Sequence, residues 1–229
     1  MEYGQFCPIS KSLELLGERW TLLILRELHM GATRFSELQR GLSLISPTIL
    51  TKRLNELCDA ELVLRRKISG QRGFEYHLTV AGKETLPMIL AIGEWGMRWA
   101  RGSLRETDLD IELLMLYLQR SINTDSLPGD ESVIKFVFTD QKVLKDWWLL
   151  VHGCNVDICL DDPGKEVDVY LSTDLRTMVE CWMGDRSYKS AVKENRMKLV
   201  GPKALTRDIQ LWIKDSLFAG IRPASEISV

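Results

Sequence analysis

The sequence predicts an α+β protein in two parts, and three observations predict it. Residues 34–79 read as two short amphipathic helices followed by two strands joined by a basic turn. The run Leu127-Pro128-Gly129-Asp130 then closes a helical stretch. From Ser132 onward apolar residues alternate before helical spacing returns, which predicts a small sheet with helices packed on one face. The expected organisation is a first domain over 1–102, a connecting helix or linker over 103–128, and a second domain over 129–229.

Composition sets the outer bounds. The chain has 229 residues, enough for two cores, and a 45% hydrophobic fraction ordinary for a globular protein. No apolar run is long enough for a membrane span, and the start has no signal-peptide pattern, so a cytoplasmic protein with no membrane partner is expected. The cysteines Cys7, Cys58, Cys154, Cys159 and Cys181 are five in number and lack CxxC spacing, which argues against a disulfide scaffold or a zinc site. Net charge is −2, but it is unevenly spread. Residues 1–102 carry 14 Lys+Arg against 11 Asp+Glu, and residues 103–229 carry 16 against 21. Between Arg34 and Arg72 there are 8 basic and 4 acidic residues, so positive charge gathers where a phosphate backbone would lie.

The elements follow in order. Ile9, Leu13 and Leu16 recur at helical spacing. A second helix is predicted from Arg19 to His29, with Trp20, Leu23, Ile24 and Leu28 on one face and Gly31 ending it. Phe35, Leu38 and Leu42 mark a short third helix. Ser46 is a good N-cap, and Pro47 is tolerated in the first turn of the helix it opens. Leu50, Leu54 and Leu57 form the buried stripe of that fourth helix. Its opposite face carries Thr48, Thr51, Lys52 and Asn55, with Arg53 at the edge. Short hydroxyls, an amide and cations reach base edges and phosphates in a major groove, although a charged helix face is more commonly just solvated.

The hairpin weighs toward nucleic acid. Leu62–Ile68 is a predicted strand containing Arg65, Arg66 and Lys67, and Ser69–Gly73 is a turn with Arg72 near its tip. Phe74, Tyr76 and Leu78 alternate with Glu75 and His77 as in a half-buried strand. A basic turn directly after a polar-faced helix is the order of a winged helix-turn-helix, suited to backbone or minor-groove contact.

The stretches CPISKSLELLGERWTLLILREL (7–28), RFSELQRGL (34–42), ISPTILTKRLNEL (45–57) and EYHLTVAGKETL (75–86) resemble the HxlR-type winged-helix transcription regulators, relatives of the MarR group. The resemblance covers roughly residues 5–101 and runs through every element in order. It implies double-stranded DNA as partner, a homodimer, residues 47–59 as recognition helix and 62–79 as wing. Thr79 is expected to cap the last helix of this domain and Pro87 to bend or restart it. Trp95 and Trp99, four apart, suit a core, and the resemblance implies instead a dimer seam shared with the N-terminal segment. Some members use a cysteine just before the first helix to sense oxidants. Cys7 holds that position, where a helix N-terminus can lower a thiol pKa, while a lone cysteine is more often an inert apolar residue.

In the second half, Gly102–Thr107 reads as a hinge, and Ile111, Leu114, Met115 and Leu118 as a helical stripe. Ile134, Phe136 and Phe138 alternate, and strands are predicted at Trp147–His152, Val156–Leu160 and Val167–Leu171. A helix carrying Leu175, Met178, Val179 and Trp182 follows, then a short helix at Ser187–Glu194 and a strand at Met197–Val200. A final helix holds Leu205, Ile209, Trp212 and Ile213. The pattern DVYLSTDLRTMVECWMGD … MKLVGPKALTRDIQLWI resembles the sterol carrier protein family of lipid-binding domains over about residues 130–220. That resemblance implies an apolar tunnel between sheet and helices and a small apolar ligand. Its candidate lining is Phe136, Trp147, Trp148, Met178, Cys181, Trp182 and Trp212, each of which is equally suited to core packing.

The sequence contains no GxSxG, HExxH or phosphate-cradling glycine loop, and His29, His77 and His152 lie far apart, so neither an enzyme nor a metal or cofactor site is expected. The leading expectation is a dimeric transcriptional regulator reading an inverted-repeat operator. Its base contacts come from Thr48, Thr51, Lys52 and Asn55, its phosphate or minor-groove contacts from Arg53, Arg65, Arg66, Lys67 and Arg72, and Ser46 belongs to the same DNA-binding set. Two alternatives are a lipid- or acyl-binding carrier whose winged helix makes only protein contacts, and a thiol-sensing repressor acting through Cys7.

Overall fold

Apolar residues at helical spacing close the first core. The structure, a computed structural model, describes residues 2–100 and 105–224. Helices α1 (Pro8–Leu16), α2 (Thr21–His29), α3 (Phe35–Gly41) and α4 (Pro47–Asp59) are followed by the antiparallel hairpin β1 (Val63–Lys67) and β2 (Phe74–Leu78), then by α5 (Val80–Lys83) and α6 (Leu86–Trp99). Ile24, Leu25, Leu38, Leu50, Leu54, Leu57, Val63 and Tyr76 are buried together. α2 starts at Thr21, two residues later than the periodicity predicts, because Trp20 adopts a left-handed φ of 80° and cannot continue a right-handed helix.

Local chemistry places each boundary. Glu37 folds back to accept from the Thr33 and Arg34 amides at 2.7 and 2.9 Å, which fixes the start of α3. Ser46 caps α4 by accepting from the Ile49 amide, and Pro47 is the first helical residue. Thr79 caps α5, and Gly82 packs so closely on the Leu62 carbonyl that a Cβ there would lie 2.1 Å from the oxygen. Helix ends again before Leu86, so Pro87 sits in the first turn of a restarted helix.

Helix α7 (Ile111–Ser121), capped by Asp110, precedes strands β3 (Glu131–Phe138), β4 (Asp146–His152), β5 (Asn155–Cys159) and β6 (Val169–Thr173). Helices α8 (Leu175–Met183) and α9 (Tyr188–Lys193), strand β7 (Met197–Val200) and α10 (Lys203–Thr206) complete the chain. The sheet order is β5-β4-β3-β6-β7: an antiparallel meander, then a crossover that lays β6 parallel to β3. Asp174 caps α8 with two bonds to Thr177, and Gly184 ends it at φ 84°. Side chains of α7, α8, α9 and the C-terminal segment bury against Ile134, Phe136, Phe138, Leu149 and Leu171 on one face of the sheet. The chain divides into two compact units, Met1–Trp95 and Gly96–Val229.

Two expectations require correction. The predicted final helix is broken into α10 and a single 3-10 turn at Ile209–Leu211. Asp208, at φ −139°, interrupts it, yet Leu205, Ile209, Trp212 and Ile213 still reach the core, and the Trp212 indole N–H donates to the Leu205 carbonyl at 2.9 Å. Periodicity reported the burial correctly and the continuity wrongly. Trp148 does not face the helices: β4 alternation turns it to the opposite sheet face with Val133 and Leu150, where the Lys135 ammonium lies 4.5 Å from its ring centre. Of the expected hinge, Gly102–Leu104 lie outside the described residues. Among the described residues no helix is long and apolar enough to cross a membrane.

Candidate nucleic-acid interface

α4 buries Leu50, Leu54 and Leu57 and thereby turns Thr48, Thr51, Lys52 and Asn55 outward, all exposed. This follows from helical geometry: residues three and four apart share a face, so an apolar stripe fixes where the polar stripe points. Ser46 is exposed at the N-terminus of the helix; its hydroxyl oxygen caps Ile49, and its proton is left for another acceptor. The Thr51 hydroxyl donates to the Pro47 carbonyl at 2.9 Å and keeps its acceptor capacity outward. Lys52 is loosely associated with Glu56 at 3.9 Å.

Arg53 departs from the expectation. Its side chain is only 11% exposed; Nη2 donates to Glu18 Oε2 at 2.7 Å, Nε to the Arg19 carbonyl at 3.1 Å, and Nη1 to Glu56. A guanidinium whose charge meets two carboxylates and whose three nitrogens each donate within the domain is less free for a phosphate than an unpaired one. Arg53 therefore leaves the set of free backbone-contacting cations.

The wing supplies them. Arg66, Lys67 and Arg72 are exposed, and among the described residues none of them forms an ion pair. Strand alternation separates Arg65 from Arg66: Arg65 pairs across from the buried Tyr76 and stacks its guanidinium on Phe74, 4.3 Å from the ring centre, while Arg66 lies opposite Glu75. Arg34 contributes a feature that its place at the head of α3 did not suggest. It bridges to Glu75 at 3.5 Å and reaches Gln71 Oε1 in the wing turn at 3.4 Å, tying the helix-turn-helix to the wing. The signal was present in sequence only as a cation facing a strand that was not yet placed.

A second surface of this unit is apolar. Phe6, Ile9 and Leu13, on and before α1, and Met88, Ile92 and Trp95 on α6 are exposed, Trp95 to 62%. α1, α2 and α6 bound an open groove of about 640 Å³ lined by Ile9, Leu13, Trp20, Leu23, Met88 and Ile92. Cys7 is the N-cap residue of α1. The Ser10 and Ile9 amides hold its thiol below the ordinary thiol range, although no cap hydrogen bond of full geometry forms. Cys58 on α4 is pushed up by burial, and Cys181 is pushed up to about 12 by the same cause.

In the second unit, Phe136, Trp147, Met178, Cys181 and Trp212 belong to one apolar cluster, with Trp182 packed at its edge and stacked on Tyr117 at 5.1 Å. The Trp182 indole N–H donates to Ser121. Among the described residues no group of three or more His, Cys, Asp or Glu is arranged to hold a metal ion.

Comparison with known proteins bears on the first unit. The HxlR-like helix-turn-helix family model matches residues 15–103. An uncharacterized HTH-type transcriptional regulator of Mycobacterium bovis is 43% identical over 89 residues, covering 38% of this chain and 56% of the relative. YvaP of Bacillus subtilis, also named an HTH-type transcriptional regulator, is 34% identical over 102 residues, covering 43% of this chain and 94% of YvaP. The chain thus spans little more than half the length of the mycobacterial relative. Among solved structures, the reduced form of the transcriptional regulator YodB from B. subtilis is similar at 32% identity, over 40% of this chain and 92% of YodB, with a TM-score of 0.36.

Proposed function

The chain belongs to the HxlR-like helix-turn-helix family, and on that premise we propose that it is a transcriptional regulator that binds double-stranded DNA as a homodimer at an inverted repeat. The observation that carries this reading is the pairing of a polar α4 face with an adjacent wing whose Arg66, Lys67 and Arg72 form no ion pair among the described residues. α4 enters the major groove with Thr48, Thr51, Lys52 and Asn55 toward base edges, and Ser46 and the wing cations meet phosphates. Dimerisation is supported by the exposed apolar side chains of α1 and α6, because a surface of this kind on a soluble domain marks an interaction site. A two-fold dimer presents two recognition helices and so reads a palindrome.

The second unit is read as a sterol-carrier-like domain that takes a small apolar ligand and biases the DNA-reading state. The order β6, α8, α9, β7 and the convergence of Phe136, Trp147, Met178, Cys181 and Trp212 between sheet and helices support it. A ligand acts on DNA affinity only by its preference for one state of the protein. A thiol-responsive mode through Cys7 is favoured by its place as the N-cap residue of α1, where the Ser10 and Ile9 amides favour the thiolate.

Selection of duplexes from a random library tests the DNA reading: an inverted repeat is expected, and recovery of no duplex by folded protein at low salt overturns it. Titration with a fluorescent fatty acid tests the ligand reading. Saturable binding with quenching of tryptophan emission is expected, and an unchanged signal removes the carrier role.

A further inference from the structure

Arg53 lies on the DNA-reading helix yet spends all three arms of its guanidinium inside the domain. Two of them reach the turn between α1 and α2, through Glu18 Oε2 at 2.7 Å and the Arg19 carbonyl at 3.1 Å, and the third returns to Glu56 one turn along α4. That turn is unusually constrained. Trp20 is held at φ 80°, a conformation costly for a residue with a Cβ, and the Thr21 amide donates to the Glu18 carbonyl across it. Glu18, Arg19 and Trp20 also form one wall of the apolar groove bounded by α1, α2 and α6. The leucine stripe of α4 fixes which face turns outward, but apolar contacts are non-directional and leave the fine angle about the helix axis to directional bonds. A planar fork bonded to a backbone carbonyl and a carboxylate is directional.

We propose that Arg53 is a positioning residue of the DNA-binding surface: it sets the rotation of the recognition helix by pinning it to the α1–α2 turn, and so makes DNA affinity depend on the conformation of that turn. This rests on the DNA-reading function proposed above and adds its internal control. A shift of α1 reaches Thr48, Thr51, Lys52 and Asn55 through the two bonds from Arg53 to the turn. Glu18, remote from the reading face of α4, then belongs to the same device as Arg53.

The test is operator affinity against salt concentration, by fluorescence anisotropy on the full chain, for the wild type, Arg53→Gln, Arg53→Lys, Glu18→Gln, the Arg53→Gln/Glu18→Gln double variant, and Arg66→Ala as comparator. Arg66→Ala flattens the salt slope by about 0.9 through loss of one phosphate contact. Arg53→Gln weakens binding about tenfold, the scale of one good base contact, with the slope unchanged. Arg53→Lys keeps the charge but not the fork and weakens binding as well. Glu18→Gln acts in the same direction, and the double variant is less than additive because one connection is broken twice. Thermal melting confirms that the variants are folded. A flattened slope for Arg53→Gln, full affinity in Arg53→Lys, or additive losses overturn the proposal. If the wild type binds no duplex, the DNA-reading function fails and this inference fails with it.

Discussion

The two units use the same kinds of residue in opposite ways. In the first, large apolar side chains such as Phe6, Ile9, Ile92 and Trp95 remain at the surface, and among the described residues the cations Arg66, Lys67 and Arg72 form no ion pair. In the second, Phe136, Trp147 and Trp212 are buried, and charged groups close on one another, as in the Arg186–Glu180–Glu194 and Lys135–Asp146 contacts. A face that gathers exposed apolar side chains, or a wing that presents unpaired cations, is completed by another molecule, whereas an apolar cluster buried between a sheet and its helices is either a scaffold or encloses a ligand.

The second unit is most sensitive at its buried tryptophan. Trp212→Ala removes a fully buried side chain and the hydrogen bond to the Leu205 carbonyl. It should destabilise the second unit by about 3–5 kcal/mol. A loss well under 1 kcal/mol in chemical denaturation would mean that this cluster is loosely packed and not a scaffold. At the other extreme of exposure, Trp95→Glu should leave folding intact and convert the proposed dimer to a monomer in sedimentation, because it places a charge on the exposed apolar face proposed as its seam. An unchanged sedimentation coefficient would remove α6 from the dimer contact.

The charge side of the contrast is sharpened by the wing. Combined Arg66→Ala and Arg72→Ala should flatten the dependence of log affinity on log salt by about 1.8, roughly 0.9 per phosphate contact, while Lys135→Ala in the second unit should leave it untouched. Equal slopes for both variants would erase the distinction between free and internally paired cations. The smallest expected effect concerns thiols. Amide N–H groups stabilise the Cys7 thiolate and burial disfavours that of Cys58. Alkylation of Cys7 should therefore rise at lower pH than that of Cys58, by mass mapping across a pH series. The reverse order would end the case for Cys7 as a thiol sensor.

Much of the first unit was legible from its residues because its signals are local. Ser46-Pro47 names the start of α4, the leucines at 50, 54 and 57 orient it, and alternation from Phe74 to Leu78 defines β2. The family pattern at residues 7–86 agrees with these elements one by one. The fates of individual cations were not legible. Arg53 and Arg66 look alike in sequence, but only Arg53 finds Glu18, thirty-five residues away, within reach. Among the tryptophans, alternation guarantees that Trp147 and Trp148 point to opposite faces, yet which face carries the helices depends on the crossover to β6.

By itself the sequence determined the α+β class, the helix-turn-helix and its hairpin, and the run of strands after Ser132. Those depend on periodicity, caps and turns, whose partners lie within a few residues. Tertiary structure alone decided which side chains are free to meet another molecule. It closed Arg53 into the protein, left Arg66 open, turned Trp148 away from the helical layer and split the last helix while keeping Trp212 in the core. Availability is a property of what lies opposite a group in space, and contacts over tens of residues are fixed only when the chain has folded.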